Sequence, residues 1–189
     1  MTLPRPCALF FFTGIIMLAV NSCAPLPPKV PSKADRVMFQ WFDQEGPGKV
    51  TVSIDLSEQV ATVYRGGEEI GWSYVATGKE GRATTPGSFY VMEKIVDKHS
   101  NLYGWIEDEL GQVTDDDASP GDPVPRGQRY MAAPMPYWMR LTSYGIGMHE
   151  GRIPNPGEPA SHGCIRMPKD FVPTLFDKVS VGTPVKIVY

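Results

Sequence analysis

Cysteine is scarce: the 189 residues hold only Cys7, Cys23 and Cys164. So few, so widely spaced thiols exclude the dense disulfide framework of a small secreted scaffold. Positive charge is not in surplus. Lys and Arg number 18 against 21 Asp and Glu, for a formal net charge of −3, which leaves no basic footprint for nucleic acid. A bilayer-spanning helix needs roughly 20 apolar residues, and the run from Cys7 to Val20 falls short of that. Gly and Pro, in contrast, are abundant at 19 each. That composition suits strands and turns better than a helical bundle.

The short apolar run has the length of a signal-peptide core, preceded by the single charge of Arg5. Val20-Asn21-Ser22-Cys23 follows at once and resembles the lipobox of bacterial lipoproteins, in which the Cys is acylated and becomes the mature N-terminus. Ser22 fits that pattern and Asn21 departs from it. Pro25, Pro27 and Pro28 then read as a semi-rigid tether. The expected organisation is a lipoprotein signal peptide over 1–22, a tether over 23–47 and one domain over 48–189. The expected location is extracytoplasmic, with the lipid on Cys23 holding the chain to a membrane so that it faces the periplasm or cell wall. An ordinary cleaved signal or an uncleaved anchor is the plainer alternative. On the lipoprotein reading Cys7 leaves with the signal, Cys23 carries lipid and Cys164 remains alone. A leftover Cys in a secreted chain is either a reactive thiol or a buried structural one.

Past Lys49 the chain punctuates itself. Val50, Val52, Ile54 and Leu56 alternate with Thr51, Ser53 and Asp55, a period of two. A second strand from Val60 to Arg65 meets a third, through Ile70, Trp72, Tyr74 and Ala76, across Gly66-Gly67. That pair predicts a hairpin with a primed turn. Thr84-Thr85-Pro86-Gly87 reads as a turn, followed by a strand over Phe89–Met92. Residues 97–129 show no regular period; they carry Asp115-Asp116-Asp117 and read as a long solvated loop of the kind that forms lids. The acidic run lacks the alternating ligand spacing of known calcium loops. Met139–Thr142 and Tyr144–Met148 read as strands. Asp170 is placed to cap a helix over Phe171–Val179, and Val185–Tyr189 reads as a final strand. The domain is mainly β with one clear helix.

Chemistry concentrates in Met148-His149-Glu150-Gly151 and Ser161-His162-Gly163-Cys164-Ile165-Arg166-Met167. A Cys attacks as thiolate, yet its free pKa of about 8.5 leaves little thiolate at neutral pH. A neighbouring imidazole that takes the proton makes the minimal activated thiol. His149 ends one predicted strand and Cys164 ends the following loop, so a hairpin-like return across Asn155–Glu158 would bring them together. Gly163 lets backbone approach a ligand closely, and the Gly163 and Cys164 amides can then serve an oxyanion. Arg166 either holds a substrate carboxylate or locks the loop. His162 lies too close in sequence to Cys164 to be its base and is read as shaping the loop, while His99 reads as surface. A zinc site on His149, His162 and Cys164 is the rival arrangement; it lacks a nearby carboxylate, and no metal is expected.

Ser161-His162-Gly163-Cys164-Ile165-Arg166 resembles the SHGC(I/V)R signature of the L,D-transpeptidase (YkuD-type) catalytic domain, and His149 matches that signature's upstream histidine. Ile54-Asp55-Leu56-Ser57-Glu58-Gln59, Thr77-Gly78 and Thr85-Pro86-Gly87-Ser88-Phe89 resemble the family's earlier segments in the same order. The resemblance covers about 48–189. It implies a mixed β-sandwich-like fold with one or two short helices. It also implies a ping-pong reaction on peptidoglycan stem peptides, as donor and acceptor, that releases D-Ala and forms 3–3 cross-links through a thioester. Cys164 is then nucleophile and His149 base then acid. The Gly163 and Cys164 amides serve the oxyanion, and Ser161, His162 and Arg166 bind substrate or shape the loop. No cofactor is implied, and carbapenem-type β-lactams are the expected inhibitors. Two other functions remain: an L,D-carboxypeptidase or endopeptidase that passes the same acyl group to water, and a non-catalytic wall-binding lipoprotein.

Overall fold

Val52 and Ile54 are buried while Thr51, Ser53 and Asp55 between them are only half so, so the period of two after Lys49 is a strand with one buried face. The computed structural model describes residues 37–43 and 45–189. The expected signal peptide, Cys7, Cys23 and most of the tether lie outside the described residues. The first strands are β1 (Phe39–Trp41), β2 (Val50–Asp55), β3 (Val60–Arg65) and β4 (Glu68–Tyr74). Gly66 and Gly67 join β3 to β4 with φ of 60° and 95°. Both angles lie in the left-handed region that a primed two-residue turn demands.

Six strands form the first sheet, in the order β1-β4-β3-β2-β13-β5, where β5 is Gly87–Tyr90 and β13 is Pro184–Val188. A second sheet has the order β12-β11-β10-β6, from β6 (Glu93–Ile95), β10 (Trp138–Arg140), β11 (Gly147–Glu150) and β12 (Ile165–Met167). Val52, Ile54, Val63, Val185 and Ile187 of the first sheet share one core with Met139, Met148, Ile165 and Met167 of the second. The result is the expected mainly β, sandwich-like fold. Among the described residues no helix is long and apolar enough to cross a membrane.

Three expectations fail here, each for a physical reason. Residues 97–129 are not an irregular loop. They build most of a third sheet, β8-β7-β9, from β7 (His99–Asp108), β8 (Val113–Ala118) and β9 (Gln128–Pro134). Its edge strand β8 is exposed at every position except Ala118, so no hydrophobic period marks it. The acidic run Asp115–Asp117 lies on that edge, where charge discourages pairing with other chains. The stretch expected as tether also contains structure. β1 pairs antiparallel with β4 through Gln40↔Trp72, and the folded unit runs from Val37 to Tyr189. Asp43, just beyond β1, binds Arg65 at 2.7 Å and Lys178 at 2.6 Å, and the Arg65 and then the Lys178 hydrogen bonds hold its carboxyl far below the usual carboxylate range. Finally, Asp170 does not cap the helix. Helix α1 (Val172–Lys178) has Phe171 as N-cap with no side-chain cap. The amides of Phe171 and Val172 both donate to the Pro168 carbonyl at 3.1 Å instead, so the first turn is satisfied by backbone.

Phe171 is fully buried, with Trp41 stacked on it at 4.5 Å and 10°. This contact ties the N-terminal strand to the helix. Phe171→Ala is expected to cost about 3–5 kcal/mol, measured as a lower urea midpoint. An unchanged midpoint would show that the Trp41–Phe171 stack is dispensable.

Candidate active site

β11 and β12 pair in parallel, with His149 opposite Arg166. The expected hairpin-like return between His149 and Cys164 is therefore wrong: parallel neighbours need a crossover, and residues 151–164 supply it. Cys164 sits immediately before β12, so the same register that aligns His149 with Arg166 sets the thiol beside the histidine's strand.

His149 is 5% exposed. Its Nδ1 lies 2.6 Å from the Glu150 carbonyl. A carbonyl only accepts, so Nδ1 carries the proton and Nε2 is left as acceptor. Burial pushes the imidazole pKa down to about 4, helped by the Arg166 charge and opposed by the Glu150 hydrogen bond. Cys164 is free and half-buried, and its Sγ donates to the Gly145 carbonyl at 3.6 Å. Burial pushes the thiol pKa up, against the opposing influence of the Gly147 backbone and the Arg166 charge. At neutral pH the resting pair is a neutral thiol with a neutral imidazole. It is not a preformed thiolate–imidazolium pair.

The loop that presents Cys164 is held by hydroxyls. Ser161 Oγ accepts from the Gly163 amide at 3.0 Å and donates to the Cys164 carbonyl at 2.5 Å. The Gly163 amide, expected as an oxyanion donor, is thus engaged inside the loop. Gly163 has φ 115°, a conformation that side-chain-bearing residues rarely adopt, and this favours glycine here. Thr84 Oγ1 donates to the Gly163 carbonyl at 2.7 Å and accepts from the Gly78 amide at 2.9 Å. Behind it, Gln59 Nε2 donates to Thr77 Oγ1 at 2.7 Å and Gln59 Oε1 accepts from the Thr77 amide at 2.8 Å. The Thr77 carbonyl in turn accepts from Ala160 and Ser161. Gln59, Thr77 and Thr84 are buried polar residues that sequence reasoning did not place at the site. The only available signal was that they fall within or beside the segments resembling the family. Thr84→Val keeps the shape and removes both hydrogen bonds. It is expected to cost about 1–3 kcal/mol and to slow Cys164 acylation, measured by thermal melting and by adduct mass on one preparation. If both are unchanged, Thr84 does not hold the loop.

His162 faces the third sheet. Its ring lies 4.8 Å from Tyr103 of β7, and its Nε2 lies 3.7 Å from Asp117 of β8. Asp117 also lies 3.8 Å from Arg82, which sits over the Tyr103 ring. Burial and then the Arg82 charge lower the His162 pKa, with Asp117 opposing. His99 is exposed on β7, near Asp97. Arg166 extends across Gly151 and its Nη1 reaches the Ala160 carbonyl at 3.4 Å. Among the described residues no three His, Cys, Asp or Glu side chains converge to hold a metal ion.

Two cavities meet at Cys164. One, of about 360 Å³, is lined by His149, Glu150, Arg152, Ser161, Arg166 and Met135, among others. The second, of about 320 Å³, is lined by Leu102, Trp138, Tyr144, Gly145 and Ile146. Ser100, Tyr103, Met135, His162 and Cys164 line both. A larger hollow of about 460 Å³, on the outer face of the six-stranded sheet beside Tyr64, Tyr90 and Lys186, contains neither Cys nor His.

A family model described as the L,D-transpeptidase catalytic domain (YkuD) matches residues 49–187. L,D-transpeptidase 1 of Mycobacterium tuberculosis is 29% identical over 136 residues, which are 70% of this chain and 48% of that protein. The chain thus spans about half the length of the curated relatives it matches. An L,D-transpeptidase structure from Mycobacterium smegmatis shares the fold with TM-score 0.57 at 22% identity, over 74% of this chain and 58% of that one. A structure of the LD transpeptidase LdtMt1 in complex with imipenem has TM-score 0.56 at 26% identity, again over 74% and 58%.

Proposed function

The chain belongs to the L,D-transpeptidase catalytic domain family, and on that premise we propose that it transfers an acyl group between peptidoglycan stem peptides through a thioester on Cys164. The observation that carries this reading is a single cavity lined by the Cys164 thiol and by His149, whose Nδ1–H is tied to Glu150 so that Nε2 alone is free to take a proton.

The donor carbonyl is the one that precedes terminal D-Ala. As Cys164 Sγ bonds to it, the thiol proton passes to His149 Nε2. The Cys164 amide is the oxyanion donor in this reading, since the Gly163 amide is held by Ser161. The tetrahedral centre collapses, its C–N bond breaks, and D-Ala leaves with the proton returned by His149. An amine of a second stem peptide then gives a proton to His149 and attacks the thioester. The new amide is a 3–3 cross-link, and the thiol regains its proton. Carbapenem-type β-lactams offer a strained amide to the same thiol, and the imipenem complex of a relative supports that extension.

We further propose that Cys23 is lipidated and holds the protein to a membrane outside the cytoplasm. The motif Val20-Asn21-Ser22-Cys23 and the Pro-rich stretch after it support this. Wild type should fractionate with membranes and Cys23→Ser should not; wild type recovered soluble with an unmodified N-terminus contradicts it.

The test of function is incubation with purified disaccharide tetrapeptides and product analysis by mass. Cross-linked dimers that have lost one D-Ala support transfer. Tripeptide monomers alone indicate hydrolysis by the same chemistry. Unchanged substrate contradicts transfer and carboxypeptidase activity alike.

A further inference from the structure

We propose that Arg152, backed by Arg166, reads a free carboxylate on the D-amino-acid fragment at the His149 side of Cys164, and so sets which leaving groups and acceptors the enzyme takes. This rests on the acyl-transfer reading above and deepens it.

His149 is the base for the incoming amine and the acid for the departing one, so both nitrogens must pass the same Nε2. His149 lines only one of the two cavities at Cys164. The fragment that leaves and the fragment that enters therefore occupy that cavity in turn, and the acyl portion of the donor extends into the other. The two fragments share a chemistry. D-Ala leaves as an amine whose neighbouring carbon bears a carboxylate. A diamino-acid acceptor whose reacting amine lies beside a carboxylate presents the same unit.

The charges fit that unit. Arg152 and Arg166 both line the His149 cavity, and among the described residues neither is in any of the ion pairs. Glu150 is the one carboxylate in the lining, so the two guanidiniums outnumber it, and His149 is neutral. The cations of the second cavity are committed elsewhere. Arg140 pairs with Glu93 at 3.0 Å, and Lys98 binds the His99 carbonyl and Asn101. Arg152 lines its cavity and is exposed to solvent, so it meets a carboxylate with little desolvation cost. Arg166 is half-buried, faces His149 across the strand pair, and its charge is felt by both His149 and Cys164. A guanidinium fork matches a carboxylate bidentately.

The experiment compares a tetrapeptide stem ending in free D-Ala with the same stem ending in D-Ala amide, in wild type, Arg152→Gln and Arg152→Lys. Wild type is expected to favour the free acid in kcat/KM by about 10- to 100-fold, the range for losing a hydrogen bond to a charged group. Arg152→Gln should bring the ratio near one, and Arg152→Lys should restore part of it. Melting temperatures should agree among the three, because the side chain is exposed. Amidating the acceptor's carboxylate should lower dimer formation in wild type and change it little in Arg152→Gln. If wild type cleaves acid and amide equally, or if Arg152→Gln keeps the preference, this inference is overturned while the transpeptidase reading stands. If wild type releases neither D-Ala nor its amide, the reading beneath it fails.

Discussion

His149→Ala is expected to slow acylation of Cys164 by about 10²–10⁴-fold at neutral pH, the usual effect of removing a general base. In wild type the base form of His149 persists to unusually low pH, because burial holds the pKa down to about 4. The acid limb of the acylation profile should therefore lie well below the ordinary histidine range. In His149→Ala the thiol must ionise unaided, and burial has pushed its pKa up. Partial recovery should appear only at alkaline pH. His162→Ala should also lose activity, by loosening the contact with Tyr103 and Asp117, but without alkaline recovery. The check is the rate of carbapenem adduct formation against pH in all three proteins. Alkaline recovery in His162→Ala with a wild-type profile in His149→Ala would reverse the two roles.

The same shift has a stability consequence. Unfolded, His149 takes up a proton below its ordinary pKa of 6.5; folded, it does so only near 4. The folded state thus loses stability as pH falls from 6.5 toward 4 and loses no more from this source below that. The loss amounts to about 3 kcal/mol at most. At neutral pH and above, it contributes nothing. His149→Ala should show a flatter stability profile over that window in urea titrations.

Cys164→Ala is expected to abolish covalent chemistry outright. Wild type exposed to a carbapenem should gain the mass of one adduct and Cys164→Ala none, because Cys164 is the only free thiol among the described residues. An adduct of equal extent in the variant would place the nucleophile elsewhere. Its fold should survive: the thiol's contact to the Gly145 carbonyl is long, at 3.6 Å, and alanine fits a position whose neighbours are held by Ser161 and Thr84.

What the sequence revealed follows the strength of its local signals. β2, β3 and β4 were legible because a half-buried strand writes its period into the chain, and Gly66-Gly67 named its own turn. Cys164 and His149 stood out as candidates because few residue types suit such chemistry, and both line one cavity. β7 to β9 were hidden because a small, largely exposed sheet has no buried face to enforce a period, and Asp115–Asp117 looked like a loop. β12 has only three residues, too few to announce a parallel pairing across the crossover of residues 151–164. The hold of Gln59, Thr77 and Thr84 on the loop that presents Cys164 is long-range: Thr84 and Gly163 are 79 positions apart, and no local pattern encodes such a bond. The bond from the Gly163 amide to Ser161 Oγ was hidden for a related reason, since it depends on how the loop closes.

The central claim is that Cys164 carries the acyl group between donor and acceptor. The most direct measurement is intact-protein mass after brief mixing with a tetrapeptide stem, in the absence of acceptor and with rapid acid quench. The account predicts a species heavier by the tripeptide acyl group, mapped to Cys164, removed by hydroxylamine and matched by released D-Ala. Release of D-Ala with no such species in wild type, and with undiminished rate in Cys164→Ala, would contradict it.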